Sequence, residues 1–419
     1  MKSVLRCVTI CLFTVVLGYE STDSVRAASG PAVLDEWGTL FTSLGSSVLE
    51  NSLRTQVRTT IAQLAMFDAV NAVLDGPYRP CASKPPSPAG ASPEAAAVRA
   101  AYIVALNEFP TKTATIESAY AASIGAVQAS ADAIAGGIAV GDAAARAVLA
   151  ARVNDHRNDP DLEGYTPGSG PGAWIPTPPS FANPQTPFLR YVTPFGYDDP
   201  ARFRPHAPPA LDSGTYTADY NEIKDVGRAT ETSRTAEQSA TALFWSPSAS
   251  ALWSANVRSL ASSMDLLTAA RFEAIGIAAV TNALIACWDA KYAYMFWRPL
   301  TAIRAGDTDG NSETELDPAW TPFITTPPHP EYPAAHSTVG AGALGFYTVW
   351  FDTDQFQLAF KGNGGAVRYY TSVAEITAAE GNARVWGGMH FRNSTEVGAA
   401  LGSRVGKYTA THLLRRLDD

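Results

Sequence analysis

Three groups of residues in the last third of the chain have types and spacings that could hold an anion. In the first group, Lys291 and Arg298 are seven positions apart in an apolar stretch that ends at Pro299. Seven positions are two turns of a helix, so we expect both cations to point from one helix face. Two cations on an otherwise buried face need an anion, whereas two side chains that reach solvent at a helix end would need none.

The second group is a proline-rich loop, 330–337, which precedes a predicted helix containing several glycines and alanines. This loop brings His336 and backbone N–H groups to the N-terminus of the helix, where the helix dipole favours an anion. The alternative is that Ser337 is an ordinary N-cap and that the neighbouring histidine is incidental.

The third group contains Arg384 and His390, whose separation of six positions would point them apart on one helix. Gly387 and Gly388 lie between them and interrupt the helix, so the two side chains can converge. A buried structural histidine with a surface arginine is the alternative interpretation. Taken together, three cations, two histidines and a helix N-terminus describe a site for a tetrahedral or bipyramidal oxyanion, such as phosphate or vanadate.

The elements that must position these groups show helical periodicity. The predicted helices cover 51–74, 93–107, 116–133, 142–153, 219–245, 255–297 in two pieces, 337–351, 367–380 and 395–414. No convincing alternating strand of useful length appears. We therefore predict an all-α fold in which loops carry the chemistry.

The segment 154–214 is rich in proline and glycine and is long for a structureless loop. We expect its large apolar side chains to pin it to the core: Trp174, Phe181, Phe188, Leu189, Tyr191 and Phe195. It is interpreted as a crossover within a single domain, 28–419. That domain would consist of a helical half, 28–215, and a site-bearing half, 216–419.

Composition limits the function classes. Of the 419 residues, 46% are hydrophobic and 10% aromatic, which excludes a disordered chain. Lys and Arg number 31 against 40 Asp and Glu, a net charge of −9 with no long basic run, which disfavours a general nucleic-acid binder. Only Cys81 and Cys287 lie beyond the N-terminal region. One disulfide between them and two separate thiols are equally compatible with the sequence.

The N-terminus has the order of features that is typical of a signal peptide. Lys2 and Arg6 precede an apolar run, 7–18, and small residues follow at Ala27. The run is too short to span a bilayer as a helix. We predict a signal peptide over 1–27 and a secreted or periplasmic location, with a buried N-terminal strand or helix as the alternative. No transmembrane helix is predicted after it.

The three groups resemble the signature of the superfamily that joins vanadium-dependent haloperoxidases and type 2 phosphatidic acid phosphatases. That signature reads K-x6-R-P, then P-S-G-H, then S-R-x5-H-x3-D. This chain matches it with Lys291 to Pro299, then 333–336, then Arg384 to His390. The surrounding proline-rich loop looks more like the secreted haloperoxidase branch. The resemblance implies a large helical domain built like two four-helix bundles.

The resemblance also implies roles for individual residues. His390 would be the vanadium ligand, or the nucleophile that takes a phosphoryl group in a phosphatase. His336 would be the acid/base group, and His329 would lie near the halide site, where a histidine looks more like a bromoperoxidase. Four residues would bind the vanadate or phosphate oxygens: Lys291, Arg298, Ala335 through its amide, and Arg384.

The chain departs from the signature at three places. The usual Ser-Gly before the histidine is Ala-Ala at 334–335, so a serine hydroxyl contact to the anion is lost. The residue before Arg384 is Ala383 rather than Ser. The acidic residue expected four positions after His390 is Ser394, and Asn393 or Ser394 would have to orient the ring instead. We expect these changes to weaken anion binding.

Three hypotheses follow. The first is a vanadate-dependent haloperoxidase, a peroxidase that oxidises a halide, with bromide favoured, by means of hydrogen peroxide. The second is an acid phosphatase that hydrolyses a phosphate ester through a phosphohistidine. The third is a non-catalytic oxyanion-binding protein. No nucleic-acid or membrane partner is expected, and association into a homo-oligomer is left open.

Overall fold

The computed structural model describes residues 30–48 and 50–418; the predicted signal peptide lies outside them and stays a prediction. Within these ranges the chain forms thirteen α-helices and one two-stranded hairpin. The helices are α1 Ala32–Ser47, α2 Ser52–Val73, α3 Pro93–Glu108, α4 Thr113–Ala126, α5 Ala131–Ala151, α6 Gly214–Val226, α7 Ala236–Phe244, α8 Ala249–Ala261, α9 Leu266–Tyr294, α10 Pro299–Arg304, α11 Ala335–Phe351, α12 Val373–Trp386 and α13 Arg392–His412. The predicted all-α class is confirmed.

The 29-residue helix α9 lies at the centre of the fold. Asp265 caps its N-terminus by accepting a hydrogen bond from the amide of Thr268. The helix is apolar on all sides, so it is buried along nearly its whole length and packs against α2, α8, α11 and α13. It therefore carries residues of its C-terminal end into the interior of the protein.

Helices α11 and α13 pack so closely that their backbones touch. A side-chain carbon at Gly402 or Gly406 would collide with backbone atoms of Thr338 or Gly342. Glycine allows this approach because it has no Cβ. The tight pairing brings the N-termini of both helices to the same end of the molecule.

One predicted helix is wrong over its first six residues. The strands β1 Gln355–Lys361 and β2 Val367–Ser372 form an antiparallel hairpin, whereas helix α12 begins only at Val373. Gly364 and Gly365 adopt φ values of +72° and +81° in the connecting turn. The residues of β2 include valine, threonine and two tyrosines, which favour a strand.

The helix predicted over 219–245 is also wrong as a single element. Helix α6 ends at Val226 and α7 begins at Ala236. The side chain of Arg234 holds the intervening loop, because its guanidinium donates to the carbonyls of Val226, Arg228 and Trp386. This loop therefore contacts the end of α12, where the third sequence group lies.

The proline-rich crossover is attached to the core, as predicted. Trp174, Phe188, Leu189 and Phe195 are buried, and the amide of Trp174 donates to Met295 O at the end of α9 over 2.7 Å. Phe181 and Tyr191 are 64% and 39% exposed, so the prediction is wrong for these two. The division into halves at 215 and 216 stays a prediction.

Charged side chains of the first half, all buried except the half-buried Glu50 and Arg58, form what we call the arginine network: Arg54, Arg58, Arg152 and Arg157 together with Glu50, Glu108 and Asp155. Arg157 lies 2.9 Å from Glu108 and 2.7 Å from Asp155, and Arg152 lies 2.8 Å from Asp155. Arg58 lies 2.9 Å from Glu50 and 3.1 Å from Glu108. Each of these cations has a carboxylate partner, as buried charges require.

Among residues 30–48 and 50–418, two helices are long and apolar enough to cross a membrane by length and composition alone: Ala131–Ala151 and Leu266–Tyr294. The second of these is α9, whose apolar window is almost entirely buried in the protein. Cys81 and Cys287 are both free thiols, so the disulfide is not formed.

Candidate active site

The first sequence group lies at the junction of α9 and α10 rather than on one helix. Met295 has a left-handed φ of +49° and ends α9, and Pro299 begins α10 after Arg298. The expectation that Lys291 and Arg298 share a helix face is therefore wrong. Both side chains are nevertheless fully buried and point into the same region, because the chain turns between them.

Lys291 holds the loop of the second sequence group. Its Nζ donates to the carbonyl oxygens of Pro330, Glu331 and Pro333 over 2.6–2.9 Å. Burial lowers the pKa of Lys291 to about 7. The ammonium thus lies behind the loop and fixes its shape, and it would act on an anion mainly through its charge.

Arg298 connects all three sequence groups. Its Nε donates to His329 O over 2.8 Å, and its Nη1 donates to Met389 O over 2.8 Å. The same Nη1 lies 3.1 Å from His390 Nε2, and Nη2 lies 2.9 Å from His329 Nδ1. A single guanidinium therefore sets the relative positions of two histidines and two loops.

Arg384 and His390 converge as predicted. Helix α12 ends at Trp386, and Gly388 adopts a φ of +77°, so the chain reverses before His390. Arg384 donates to Trp245 O over 3.0 Å and approaches the sulfur of Met389 at 2.9 Å. Its Nε is buried without a hydrogen-bond partner among the described residues.

Lys291, Arg298 and Arg384 form what we call the cation cluster. None of the three has a carboxylate oxygen within 4 Å in the part of the chain that the structure describes. The acids that act on them electrostatically are Glu331 and Glu380, whose pKa values burial raises to about 7 and about 8. Burial in turn lowers the pKa of each cation. Such a cluster is stabilised by an incoming anion.

The carboxylate missing from the third sequence group is supplied by Glu331. Its Oε1 lies 2.9 Å from His390 Nδ1 and accepts the amide of Phe391 over 3.0 Å. Ser394 donates to its Oε2 over 2.6 Å. The expectation that Ser394 or Asn393 orients the ring directly is therefore wrong. Ser394 acts through Glu331, and the backbone N–H of Asn393 donates to the Asp219 carboxylate.

Sequence reasoning missed Glu331, although a signal was present. The acid expected at position 394 is absent, and Glu331 is the acidic residue of the loop that also carries His336. Nothing in the spacing of that loop indicates that its side chain reaches the third group. Only the packing of α11 against α13 places the two segments together.

These contacts determine the protonation of His390. A guanidinium has N–H donors and no acceptor, so His390 Nε2 must accept the hydrogen bond from Arg298. The ring proton is then on Nδ1, where it is donated to Glu331. Burial and the three nearby cations lower the pKa of His390 well below its usual value. His390 is therefore neutral, with the lone pair of Nε2 on the side of the cation cluster.

His336 lies in the first turn of α11, beside the N-cap Ala334. Its Nε2 lies 2.9 Å from Pro247 O, and burial together with Arg384 lowers its pKa. The Ser337 hydroxyl does not cap the helix and is buried without a hydrogen-bond partner among the described residues. The amides of this first turn, including that of Ala335, have no acceptor inside the helix.

A cavity of about 230 Å³ opens onto these residues. Its lining includes the candidate side chains His329, His336, Arg384 and His390 as well as the alanine at 335. Trp288 lies against His329 with ring centroids 5.0 Å apart, and serines of the loop before α8 form part of another wall. Lys291 and Arg298 are fully buried and do not line the cavity. The structure thus brings five of the seven sequence-predicted residues to the wall of one small chamber.

The arrangement fits an oxyanion better than a metal cation. No group of three or more His, Cys, Asp or Glu side chains that could hold a metal ion occurs among residues 30–48 and 50–418. The site offers instead a buried cation cluster, a partnerless Arg384 Nε, a helix N-terminus and one imidazole lone pair. These groups suit vanadate, whose charge needs donors and whose metal centre accepts a nitrogen ligand.

Comparison with known proteins agrees with this chemistry. Residues 271–419, which include the whole cation cluster, match the family model of the VCPO second helical-bundle domain. The resemblance to the vanadium-dependent haloperoxidases that the motifs indicated is confirmed over this part of the chain.

Particular relatives are distant. The chain is 29% identical over 250 residues to vanadium chloroperoxidase from Curvularia inaequalis; the match covers 47% of this chain and 40% of that protein. A bacterial vanadium-dependent iodoperoxidase superposes with a TM-score of 0.78 at 24% identity, over 94% of this chain and 98% of that one. A holo-type bacterial vanadium-dependent chloroperoxidase superposes with a TM-score of 0.66 at 18% identity, over 93% of both chains. At these identities the two structures share the fold with this chain.

Proposed function

We propose that this protein is a vanadate-dependent haloperoxidase that oxidises halide, with bromide favoured, at the expense of hydrogen peroxide. The observation that carries the proposal is the buried cation cluster without carboxylate partners, which faces the unprotonated nitrogen of His390. A chain does not bury three such cations beside a neutral imidazole without an anion to neutralise them.

Each residue would contribute through its observed position. His390 Nε2 would hold the vanadium, while Arg298 and Arg384 would donate N–H groups to the oxygens of the anion. Lys291 would add positive charge from behind the loop, and the first-turn amides of α11 would donate from the other side. Bound vanadate would supply a Lewis-acidic centre that polarises peroxide without a change of its oxidation state.

His336 is the group best placed to move protons. It lies in the chamber wall, it is neutral, and its Nε2 contacts a carbonyl rather than a carboxylate. A neutral imidazole at this position would accept a proton from hydrogen peroxide and later return it. His329 and Trp288 line the same chamber, and we assign the halide to their side of it.

The test is peroxide-dependent bromination of a chromogenic phenol by the protein after incubation with orthovanadate. We expect turnover with bromide and inhibition by phosphate. His390→Ala should reduce turnover to background, and an Arg157→Lys control outside the site should retain it. Turnover that persists in His390→Ala would remove that residue from its role.

A second candidate, phosphomonoester hydrolysis through a phosphohistidine, is favoured by one observation. Glu331 holds His390 as a carboxylate holds a nucleophilic imidazole, with Nε2 free of its proton. The vanadate-free protein should then hydrolyse p-nitrophenyl phosphate, with vanadate as an inhibitor. Hydrolysis without bromination would favour the phosphatase, and neither activity with measurable phosphate binding would favour a non-catalytic anion-binding protein.

A further inference from the structure

Glu331 is a fully buried acid whose side-chain hydrogen bonds all come from the segment that carries His390. Its own backbone belongs to the second sequence group and is anchored on the first. The amide of Glu331 donates to Phe296 O over 2.9 Å, and its carbonyl accepts from Lys291. One residue therefore ties the three segments of the site together.

The surroundings of Glu331 favour its acceptor role. Phe391 N–H and Ser394 O–H lie in the first turn of α13, whose N-terminus has no cap from the side chain of its own N-cap residue. A carboxylate at this position accepts otherwise unpaired donors and interacts favourably with the helix dipole. Both carboxylate oxygens thus accept, and Oε1 is directed at His390 Nδ1.

We propose that Glu331 is a positioning residue that keeps the ring proton of His390 on Nδ1 and thereby keeps Nε2 available for the oxyanion. Before the anion binds, Arg298 enforces the same arrangement by donating to Nε2. An anion at Nε2 takes the place of that hydrogen bond, and Glu331 alone then holds the ring and its proton. This role deepens the proposed function and rests on it only for the identity of the anion.

The position of Ser394 makes the proposal sharper. In the superfamily signature the position four residues after the histidine carries an acid, whereas here its serine lies 2.6 Å from Glu331 Oε2. The carboxylate therefore reaches the same place from another segment of the chain. A carboxylate placed at position 394 should therefore restore the His390 proton signal and the anion affinity that are lost when Glu331 is removed. A merely structural role of Glu331 does not predict this rescue.

The test uses three variants of the full-length protein: Glu331→Gln, Glu331→Ala, and Glu331→Ala combined with Ser394→Asp. Histidine-selective ¹⁵N NMR of the vanadate-free protein reports the site of the ring proton, with His390→Ala assigning the signals. Calorimetry with orthovanadate, and separately with inorganic phosphate, reports anion affinity. The near-isosteric Gln variant keeps the measurement informative if the Ala variant folds poorly.

We expect the wild type to show a low-field proton on His390 Nδ1, because a carboxylate accepts it. In Glu331→Gln the proton should stay on Nδ1 but move upfield, since the amide oxygen is a weaker acceptor. In Glu331→Ala the low-field signal should disappear and anion affinity should fall about 10- to 100-fold, as is usual for the loss of an outer partner of a ligating histidine. The double variant should regain the signal and most of the affinity.

The matched control is Glu273→Gln, which changes another buried acid of similar exposure far along α9 from Lys291. It should leave the His390 signal and the anion affinity unchanged. A low-field His390 proton that survives in Glu331→Ala, or a double variant that regains neither property, would overturn the proposal. Wild-type protein that binds no vanadate would instead contradict the proposed function, and the ring-proton signal would still decide the role of Glu331.

Discussion

The protein buries two sets of cations, and the two sets are neutralised in different ways. In the arginine network, Arg157 lies within 2.9 Å of carboxylate oxygens of both Glu108 and Asp155. In the cation cluster, Arg384 contacts a carbonyl and a sulfur. A buried cation with its own carboxylate is already neutralised, whereas one without is available to bind an anion. The difference separates a structural cluster from a functional one within a single chain.

The largest expected effect is a loss of stability when the arginine network is broken. Arg157→Met should lower the free energy of unfolding by about 3–5 kcal/mol, because it leaves two buried carboxylates short of a partner. Denaturant unfolding monitored by circular dichroism measures it. Phosphate affinity of the folded variant should match the wild type. A loss below about 1 kcal/mol would mean that the network is not the structural cluster described here.

Anion binding should stabilise the protein through the cation cluster alone. Phosphate at 100 times its dissociation constant should raise the free energy of unfolding by about 2.7 kcal/mol. The same concentration should stabilise Arg157→Met by an equal increment, since that residue lies outside the site. Calorimetric melting with and without phosphate measures both, and sodium chloride at equal ionic strength is the control. Equal stabilisation by chloride would argue against a specific site.

An arginine-to-methionine substitution in the cation cluster should instead reduce anion affinity and leave the stability nearly unchanged. Arg384→Met should weaken phosphate binding by about tenfold, corresponding to about 1.4 kcal/mol, because charge-assisted hydrogen bonds are lost. Its unfolding free energy should change by less than about 1 kcal/mol, since the loss of two hydrogen bonds is offset by relief from burying an unpaired charge. Titration calorimetry measures the phosphate affinity, and denaturant unfolding measures the free energy of unfolding. Stability losses as large as those of Arg157→Met would erase the distinction.

The pH dependence of anion binding should trace to Lys291. Burial lowers the pKa of this lysine from 10.5 to about 7, so the anion-free protein loses this charge as pH rises through about 7. Affinity for sulfate, which does not titrate here, should fall over that range and should lose this dependence in Lys291→Met. Because the unfolded chain keeps the proton up to about pH 10.5, the Lys291 contribution makes the free energy of unfolding rise with pH between about 7 and 10.5. A flat sulfate profile in the wild type would contradict the assignment.

The smallest expected effect is a gain in phosphate affinity. Ala334→Ser restores the hydroxyl of the superfamily signature at the N-cap of α11. It should tighten phosphate binding by about 0.5–1.5 kcal/mol, the usual contribution of one hydrogen bond. Ala383→Ser, the other restored serine of the signature, provides a comparison on α12. Titration calorimetry of both variants measures the change, and weaker binding in Ala334→Ser would show that the anion lies elsewhere.

Much of the site was predictable because its residues mark breaks in helices. Gly387 and Gly388 indicated that Arg384 and His390 converge, and the structure agrees. The apolar period of α9 predicted a buried helix, but its end at Met295 was not predicted, because a left-handed non-glycine residue leaves no signal in composition. The shared direction of Lys291 and Arg298 therefore depends on a turn that spacing alone does not reveal.

The parts that escaped prediction depend on contacts distant in sequence. Glu331 and His390 are 59 residues apart and meet only because α11 and α13 pack through glycines. The β-hairpin was missed for a local reason, since the helical period of α12 was extended back over Val367–Ser372 despite the glycines before it. Local patterns thus located the site, and tertiary packing supplied the carboxylate that completes it.

The most direct test of the central claim is a calorimetric titration of orthovanadate into the wild type and into the pair Arg384→Met and Arg157→Met at pH 6.5. We expect one vanadate per chain for the wild type, displaced by phosphate, with binding retained in Arg157→Met and weakened about tenfold in Arg384→Met. Absence of vanadate binding by the wild type, or equal weakening in both variants, would contradict the claim that the unpaired cations form an anion site.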